Sequence, residues 1–250
     1  MELPLLEKLK ISKKQQIKQL AVLIDPDKAR PSELDYLVTL SEAAEVDYFF
    51  IGGSFLKEEN TDDTVRYIQS ISTIPVILFP GSPAQISRNA DAILLLSLIS
   101  GRNANLLIGR HVEAAPKLLQ INIEIMPTGY MLIDGGRATA VSYISNTMPI
   151  PADKEDIAAF TALAGVQLGL QIIYMDAGSG ALYSIPSKMI RKVSALIDVP
   201  LIVGGGIRSA AQMKEAYNAG ADVVVIGNAL EKNPDLLAEL AICKRSFAIK

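Results

Sequence analysis

At 250 residues, half of them apolar and a fifth charged, the chain is long enough to bury one large core. A formal net charge of −3 argues against a nucleic-acid partner held by a basic surface. The one cysteine, Cys243, excludes an intramolecular disulfide and a cysteine metal cluster and fits a reducing cytoplasm.

Residues 1–19 are Lys-rich with interspersed leucines, which predicts an amphipathic N-terminal helix without the apolar stretch of a signal peptide. Packing on the body of the protein is the expected role. A transient membrane-surface contact is the alternative that the charged face leaves open. No apolar run approaches the roughly 18 residues of a membrane span.

Ala21–Ile24 predicts the first strand, followed at once by D-P-D-K, Asp25 to Lys28. Two carboxylates at a strand end suit a hard divalent cation such as Mg²⁺, or equally turn and helix-capping chemistry. A helix follows over Pro31–Ala44. The second strand, Tyr48–Ile51, ends in Gly52, Gly53 and Ser54, and Ser54 could either ligate a metal or cap the next helix. Strands three and four, Pro75–Phe79 and Ala92–Leu98, end in P-G-S-P and S-G-R-N. His111, the sole histidine, has no serine, cysteine or acid at the spacing of a catalytic triad and reads as structural.

Ile121–Met126 predicts strand five, and 127–151 a long irregular loop, the kind that in a compact domain usually carries function. A helix is expected over Asp153–Leu168. Strand six, Gln171–Met175, runs into D-A-G-S-G-A, where Ser179 between two glycines suits a backbone phosphate cradle. The stretch Leu201–Leu230 reads as strand, glycine turn, helix, strand, glycine. Its Gly204–Gly206 and Gly227 leave bare main chain where the loops after strands seven and eight of a β/α barrel bind phosphate. Pro234–Lys250 closes the chain as a helix. Eight strands alternating with helices predict a single α/β domain over 1–250, a (β/α)8 TIM barrel with its site at the C-terminal ends of the strands.

Laid end to end, L-I-D-P-D-K (23–28), I-G-G-S (51–54), L-F-P-G-S (78–82), S-N-T-M-P-I-P (145–151), Y-M-D-A-G-S-G-A (174–181), V-G-G-G-I-R-S (203–209) and V-I-G-N-A-L (225–230) span almost the whole chain. In this order they resemble the geranylgeranylglyceryl phosphate synthase family, which includes heptaprenylglyceryl phosphate synthase-like proteins, and specifically its second subgroup. The glycine-rich seventh turn is shared with other phosphate-binding barrels. D-P-D-K together with Y-x-(E/D)-A-G-S-G is far more specific.

The resemblance implies a cytoplasmic, Mg²⁺-dependent prenyltransferase of phospholipid biosynthesis. Such an enzyme joins a polyprenyl diphosphate, taken as geranylgeranyl diphosphate, to sn-glycerol 1-phosphate through an ether bond and releases pyrophosphate. It implies Asp25 and Ser54 as the Mg²⁺ site. It implies Tyr174, Met175, Asp176, Ala177, Gly178, Ser179, Gly180, Gly205, Gly206, Gly227 and Asn228 as the glycerol phosphate site. Asp176 would accept the hydroxyl proton, with Tyr174 orienting it, and the prenyl tail is expected on the strand 2–4 side near Phe79. A homo-oligomer, dimer or hexamer, is also implied.

Two positions depart from the family pattern. Asp176 stands where Glu is common, and Leu23 stands where some members carry lysine, so phosphate charge would fall to Arg208 or Lys28. The rival expectations are another phosphate-binding barrel enzyme, an isomerase or lyase, and a non-catalytic phosphate-ligand binder.

Overall fold

Each short apolar run pairs in parallel with the next, and the first pairs with the last, so the sheet has no edge. The computed structural model describes residues 3–58 and 60–248. Its strands are β1 Gln19–Ile24, β2 Tyr48–Ile51, β3 Val76–Leu78, β4 Ala92–Leu98, β5 Glu124–Leu132, β6 Ile172–Asp176, β7 Leu201–Gly204 and β8 Val223–Ile226. They close as a barrel in the order β1 to β8. Alternation of side chains divides the buried residues into two groups. Ala21, Phe50, Ile77, Leu94, Tyr174 and Val225 fill the barrel, while Val22, Ile51, Leu78, Ile93, Met175 and Ile226 face the surrounding helices.

The helix α1, Leu5–Lys14, is shorter than the 1–19 read from sequence, and residues 1 and 2 lie outside the described residues. Its Leu5 and Leu9 join the barrel-filling group with Tyr48, Ala92 and Met126, so α1 plugs the N-terminal end of the barrel. Glu124 at the start of β5 accepts from the backbone N–H groups of Leu5 and Leu6 at 2.7 and 2.8 Å, supplying the anion a helix N-terminus favours. Lys13 pairs with Asp222 at 2.9 Å on the same end. Leu5 and Leu9 are therefore spent inside the protein, while Ile11 on the same helix stays exposed.

The remaining helices are α2 Pro31–Ala43, α3 Thr61–Ile71, α4 Arg110–Leu119, α5 Ala140–Ser145, α6 Glu155–Gln167, α7 Ser187–Leu196, α8 Ala210–Asn218, α9 Asn228–Lys232 and α10 Leu236–Arg245. The last ends short of the predicted Lys250, and residues 249 and 250 lie outside the described ones.

Two expectations are corrected. Strands and helices do not alternate throughout: β3 and β4 are joined only by a single 3-10 turn, Pro83–Gln85, leaving the helical ring open between α3 and α4. Strand five begins at Glu124 and continues to Leu132, well into the predicted 127–151 loop. Pro127 is tolerated in it because its C=O accepts from Gln171, placing that edge toward β6 just before β6 begins. Beyond β5 the chain makes a strap over the barrel mouth that includes α5 and returns at Ile150, which forms a parallel bridge with Ile133.

Candidate active site

The C-terminal ends of the strands open into a cleft of about 910 Å³. One wall is bare main chain: Gly178, Ser179 and Gly180 after β6, Gly205 and Gly206 after β7, Gly227 and Asn228 after β8. The backbone N–H groups of Ser179, Gly180, Gly205, Gly206, Gly227 and Asn228 have no hydrogen-bond partner among the described residues. Such a set of unsatisfied donors is an anion cradle. Gly205 is required here. Its φ is +78°, and a Cβ would stand 2.5 Å from Asp176 Oδ1 and 2.7 Å from Gly178 N. Ser179 Oγ donates to Asn228 Oδ1 at 2.9 Å and ties the first loop to the third.

Two residues of the implied phosphate set do not reach this wall. Period-2 alternation turns the Met175 side chain outward to the helix layer. The small Ala177 side chain is buried in that same layer, and its N–H donates to Gly204 O at 3.1 Å.

At the base of the cradle sits Asp176, buried and carrying two hydrogen bonds: Tyr130 Oη donates to Oδ2 at 2.7 Å and Gly178 N to Oδ1 at 2.7 Å. Burial pushes its carboxyl above the usual range, and both hydrogen bonds work against that rise. The side chain that holds its carboxylate is Tyr130, on the unpredicted extension of β5, and not Tyr174.

Tyr174 packs against Phe79, centroids 5.1 Å apart, and meets Tyr130 edge-on at 5.6 Å. Its hydroxyl makes no hydrogen bond among the described residues. Burial, then the charge of Asp176, holds both phenols well above their ordinary pKa, so at neutral pH each is a donor.

Across the cleft, the D-P-D-K turn divides its two carboxylates. Asp27 accepts from the N–H groups of Lys57 and Glu58 at 2.7 and 3.3 Å and so shapes the loop after β2. Asp25 lines the cleft, with Oδ1 accepting from Asp27 N at 3.1 Å and Oδ2 3.2 Å from Lys28 Nζ. Ser54 does not cap α3, which starts at Thr61 behind Asn60. It lines the cleft beside Asp25 with no partner for its hydroxyl among the described residues.

Gln85, a residue that sequence reasoning missed, staples this wall. Its amide donates to Gly53 O at 2.9 Å and accepts from Gly81 N at 3.1 Å. No motif announced it; it lies in the short 3-10 turn that replaces a helix. Among the described residues there is no cluster of three His, Cys, Asp or Glu side chains for a metal. Asp25 and Ser54 instead fit a Mg²⁺ that takes its other oxygens from substrate and water.

Of the two cations expected to meet phosphate charge, Arg208 donates to the carbonyls of Ala181 and Leu182, and Lys28 is held between Asp25 and Glu231. His111 also lines the cleft, with its Nε2 2.9 Å from Leu96 O. The far arm of the cleft is apolar. Phe79, Ile86, Leu95, Leu96, Leu106 and Ile144 line it, two of them from β4 and one from the end of the 3-10 turn that stands in for a helix.

With this geometry in hand, the PcrB family profile matches residues 11–244. A geranylgeranylglyceryl phosphate synthase of Chitinophaga pinensis is 52% identical over 225 residues, covering 90% of this chain and 89% of the relative. One from Thermococcus gammatolerans is 45% identical over 212 residues, covering 84% and 83%. Among solved structures, (S)-3-O-geranylgeranylglyceryl phosphate synthase from Thermoplasma acidophilum, in complex with its substrate sn-glycerol-1-phosphate, superposes with a TM-score of 0.92. It is 31% identical over 98% of this chain and 100% of that one. Thiamine phosphate pyrophosphorylase from Pyrococcus furiosus, at TM-score 0.57 and 11% identity, shares the fold alone.

Proposed function

The chain belongs to the PcrB family, and from that premise we propose that it is a geranylgeranylglyceryl phosphate synthase, transferring a prenyl group from a polyprenyl diphosphate to the free primary hydroxyl of sn-glycerol 1-phosphate. The observation that carries the reading is the division of one cleft into an anion cradle of free N–H groups and an apolar arm, with a buried carboxylate between them.

Each part has a task. The cradle fixes the glycerol phosphate by its phosphate, converting an encounter of two substrates into a reaction between positioned groups. Asp176, its pKa raised by burial and opposed by its two hydrogen bonds, accepts the hydroxyl proton as the ether oxygen forms its bond to prenyl C1 and the diphosphate leaves. Tyr130 holds the carboxylate in place, and Tyr174 offers an unclaimed donor. Phe79, Tyr130 and Tyr174 cluster at the cleft, and an aromatic face open to it would attract the positive charge that develops on an allylic carbon. The leaving diphosphate falls to the opposite wall, where Asp25 and Ser54 would hold Mg²⁺. That ion, when bound, supplies charge neutralisation to the leaving group.

Homo-oligomeric assembly and a cytoplasmic site of action belong to the same proposal. The exposed Tyr143, Met148 and Phe160 support the first. The buried Cys243, the sole cysteine and so without a disulfide partner in the chain, supports the second.

The test is transfer of label from sn-glycerol 1-phosphate into an organic-extractable product, with Mg²⁺ and prenyl diphosphates of increasing length. Product that disappears with EDTA supports the reading. Glycerol phosphate binding without product at any length would move the assignment to a non-catalytic binder. No binding would point to another barrel enzyme.

A further inference from the structure

The cradle carries hydrogen-bond donors but, among the residues implied for it, no cation. The two expected to supply one are engaged elsewhere: Arg208 on the carbonyls of Ala181 and Leu182, Lys28 on Asp25 and Glu231. Arg110, on the apolar arm, is paired with Glu113 at 2.7 Å. Arg137 and Lys232 line the same cleft and have no hydrogen bond or ion pair among the described residues. Of these two, Arg137 is the one seated on a cradle glycine. Its Nη2 stands 2.7 Å from the point that a Cβ of Gly180 would occupy, and Gly180 has φ +77°.

The strap delivers it there. Leu182 N and Tyr183 N donate to Gly135 O at 2.8 and 3.0 Å, fixing the strap to the cradle loop two residues before Arg137. Thr139 packs against Gly178 two residues after it. The backbone that carries Arg137 is thus anchored on both sides while the five donors of its guanidinium remain unspent.

We infer that Arg137 is the residue that answers the phosphate charge of glycerol phosphate, reaching over Gly180 to complete from the strap a cradle the barrel supplies only with N–H groups. The inference rests on the proposed substrate. Its chemistry is the ordinary one of a planar guanidinium with a phosphate, two parallel N–H donors to two oxygens.

The test compares Arg137→Gln and Arg137→Lys with the wild type in two measurements: calorimetric binding of inorganic phosphate and of sn-glycerol 1-phosphate, and steady-state KM for each substrate. Thermal unfolding accompanies both. A charge-assisted hydrogen bond to phosphate sets the expected loss in Arg137→Gln at about tenfold or more in Kd and in the KM for glycerol phosphate. The KM for the prenyl diphosphate should move far less. Arg137→Lys, which keeps the charge but not the paired donors, should recover part of the loss, and a defect from a disordered strap would not be recovered. Equal affinities in wild type and Arg137→Gln would overturn the inference, as would an equal rise in both KM values. Phosphate binding weakened in Arg137→Gln while the wild type forms no prenyl product would leave Arg137 in place and remove the synthase reading instead.

Discussion

The Tyr130 hydroxyl donates to Asp176 Oδ2 at 2.7 Å, so the carboxylate at the base of the cradle is held by a neighbouring strand rather than by its own loop alone. That bond stabilises the ionised form of Asp176 against the burial that raises its pKa. In Tyr130→Phe the carboxyl rises further. The acid limb of kcat/KM, which climbs as the base deprotonates, should move to higher pH, with turnover at neutral pH down by about tenfold. An unmoved limb would remove Asp176 from the role of base.

Asp176 also makes a prediction about stability with an unusual sign. Its folded pKa lies above the unfolded one, so its contribution is most favourable while the group is neutral in both states. It declines as pH rises from the unfolded pKa through the folded pKa. Asp176→Asn should therefore abolish most turnover while the melting temperature at pH 8 equals or exceeds that of the wild type. A clear drop there would mean that the carboxylate is structural.

Asp25→Ala should fold normally, because Asp27 rather than Asp25 anchors the loop after β2 and Lys28 keeps Glu231. Activity titrated with Mg²⁺ should fall by about a hundredfold or more, the scale for loss of an electrostatic group acting on developing charge. Full activity in this variant would place the metal elsewhere.

Gly205→Ala forces a side chain into a backbone at φ +78° and against Asp176 and Gly178. Positive φ in a non-glycine residue costs on the order of 1–3 kcal/mol. Chemical denaturation should show that loss, and glycerol phosphate binding should fail with it as the cradle loops separate. Binding at wild-type strength would show that these loops do not hold the phosphate.

Leu106→Trp narrows the apolar arm without touching the cradle. The longest prenyl diphosphate accepted should become shorter while the KM for glycerol phosphate stays. Product analysis across a chain-length series reads this directly. An unchanged length limit would place the tail outside this arm.

The barrel is legible in the sequence because its strands are short apolar runs bounded by turn residues, and Tyr48–Ile51, Ala92–Leu98 and Val223–Ile226 match their predicted bounds. The cradle glycines were legible for the same reason. Strand five was cut short because Pro127 and Gly129 read as loop punctuation. Pro127 sits where β6 has not yet begun, and Gly129 lets Ile99 and Ile173 pack directly onto the strand. Tyr130 was lost with that segment. Gln85 and Arg137 could not be found locally, since each acts on glycines 32 and 43 residues away along the chain. The missing helix left no mark because 79–91 is long enough to have hidden a short one.

The opening between α3 and α4 separates two quantities that a complete ring would bind together. Eight strands fix the width of a barrel, and a ligand confined to its mouth must fit that width. A slot in the side makes the size of the apolar substrate a matter of bulk at a few positions on β4, α4 and the strap. The phosphate end keeps its geometry whatever happens there. Selectivity for the tail can drift by single substitutions, while recognition of the headgroup rests largely on main-chain N–H groups that no side-chain change removes, with Arg137 added to them.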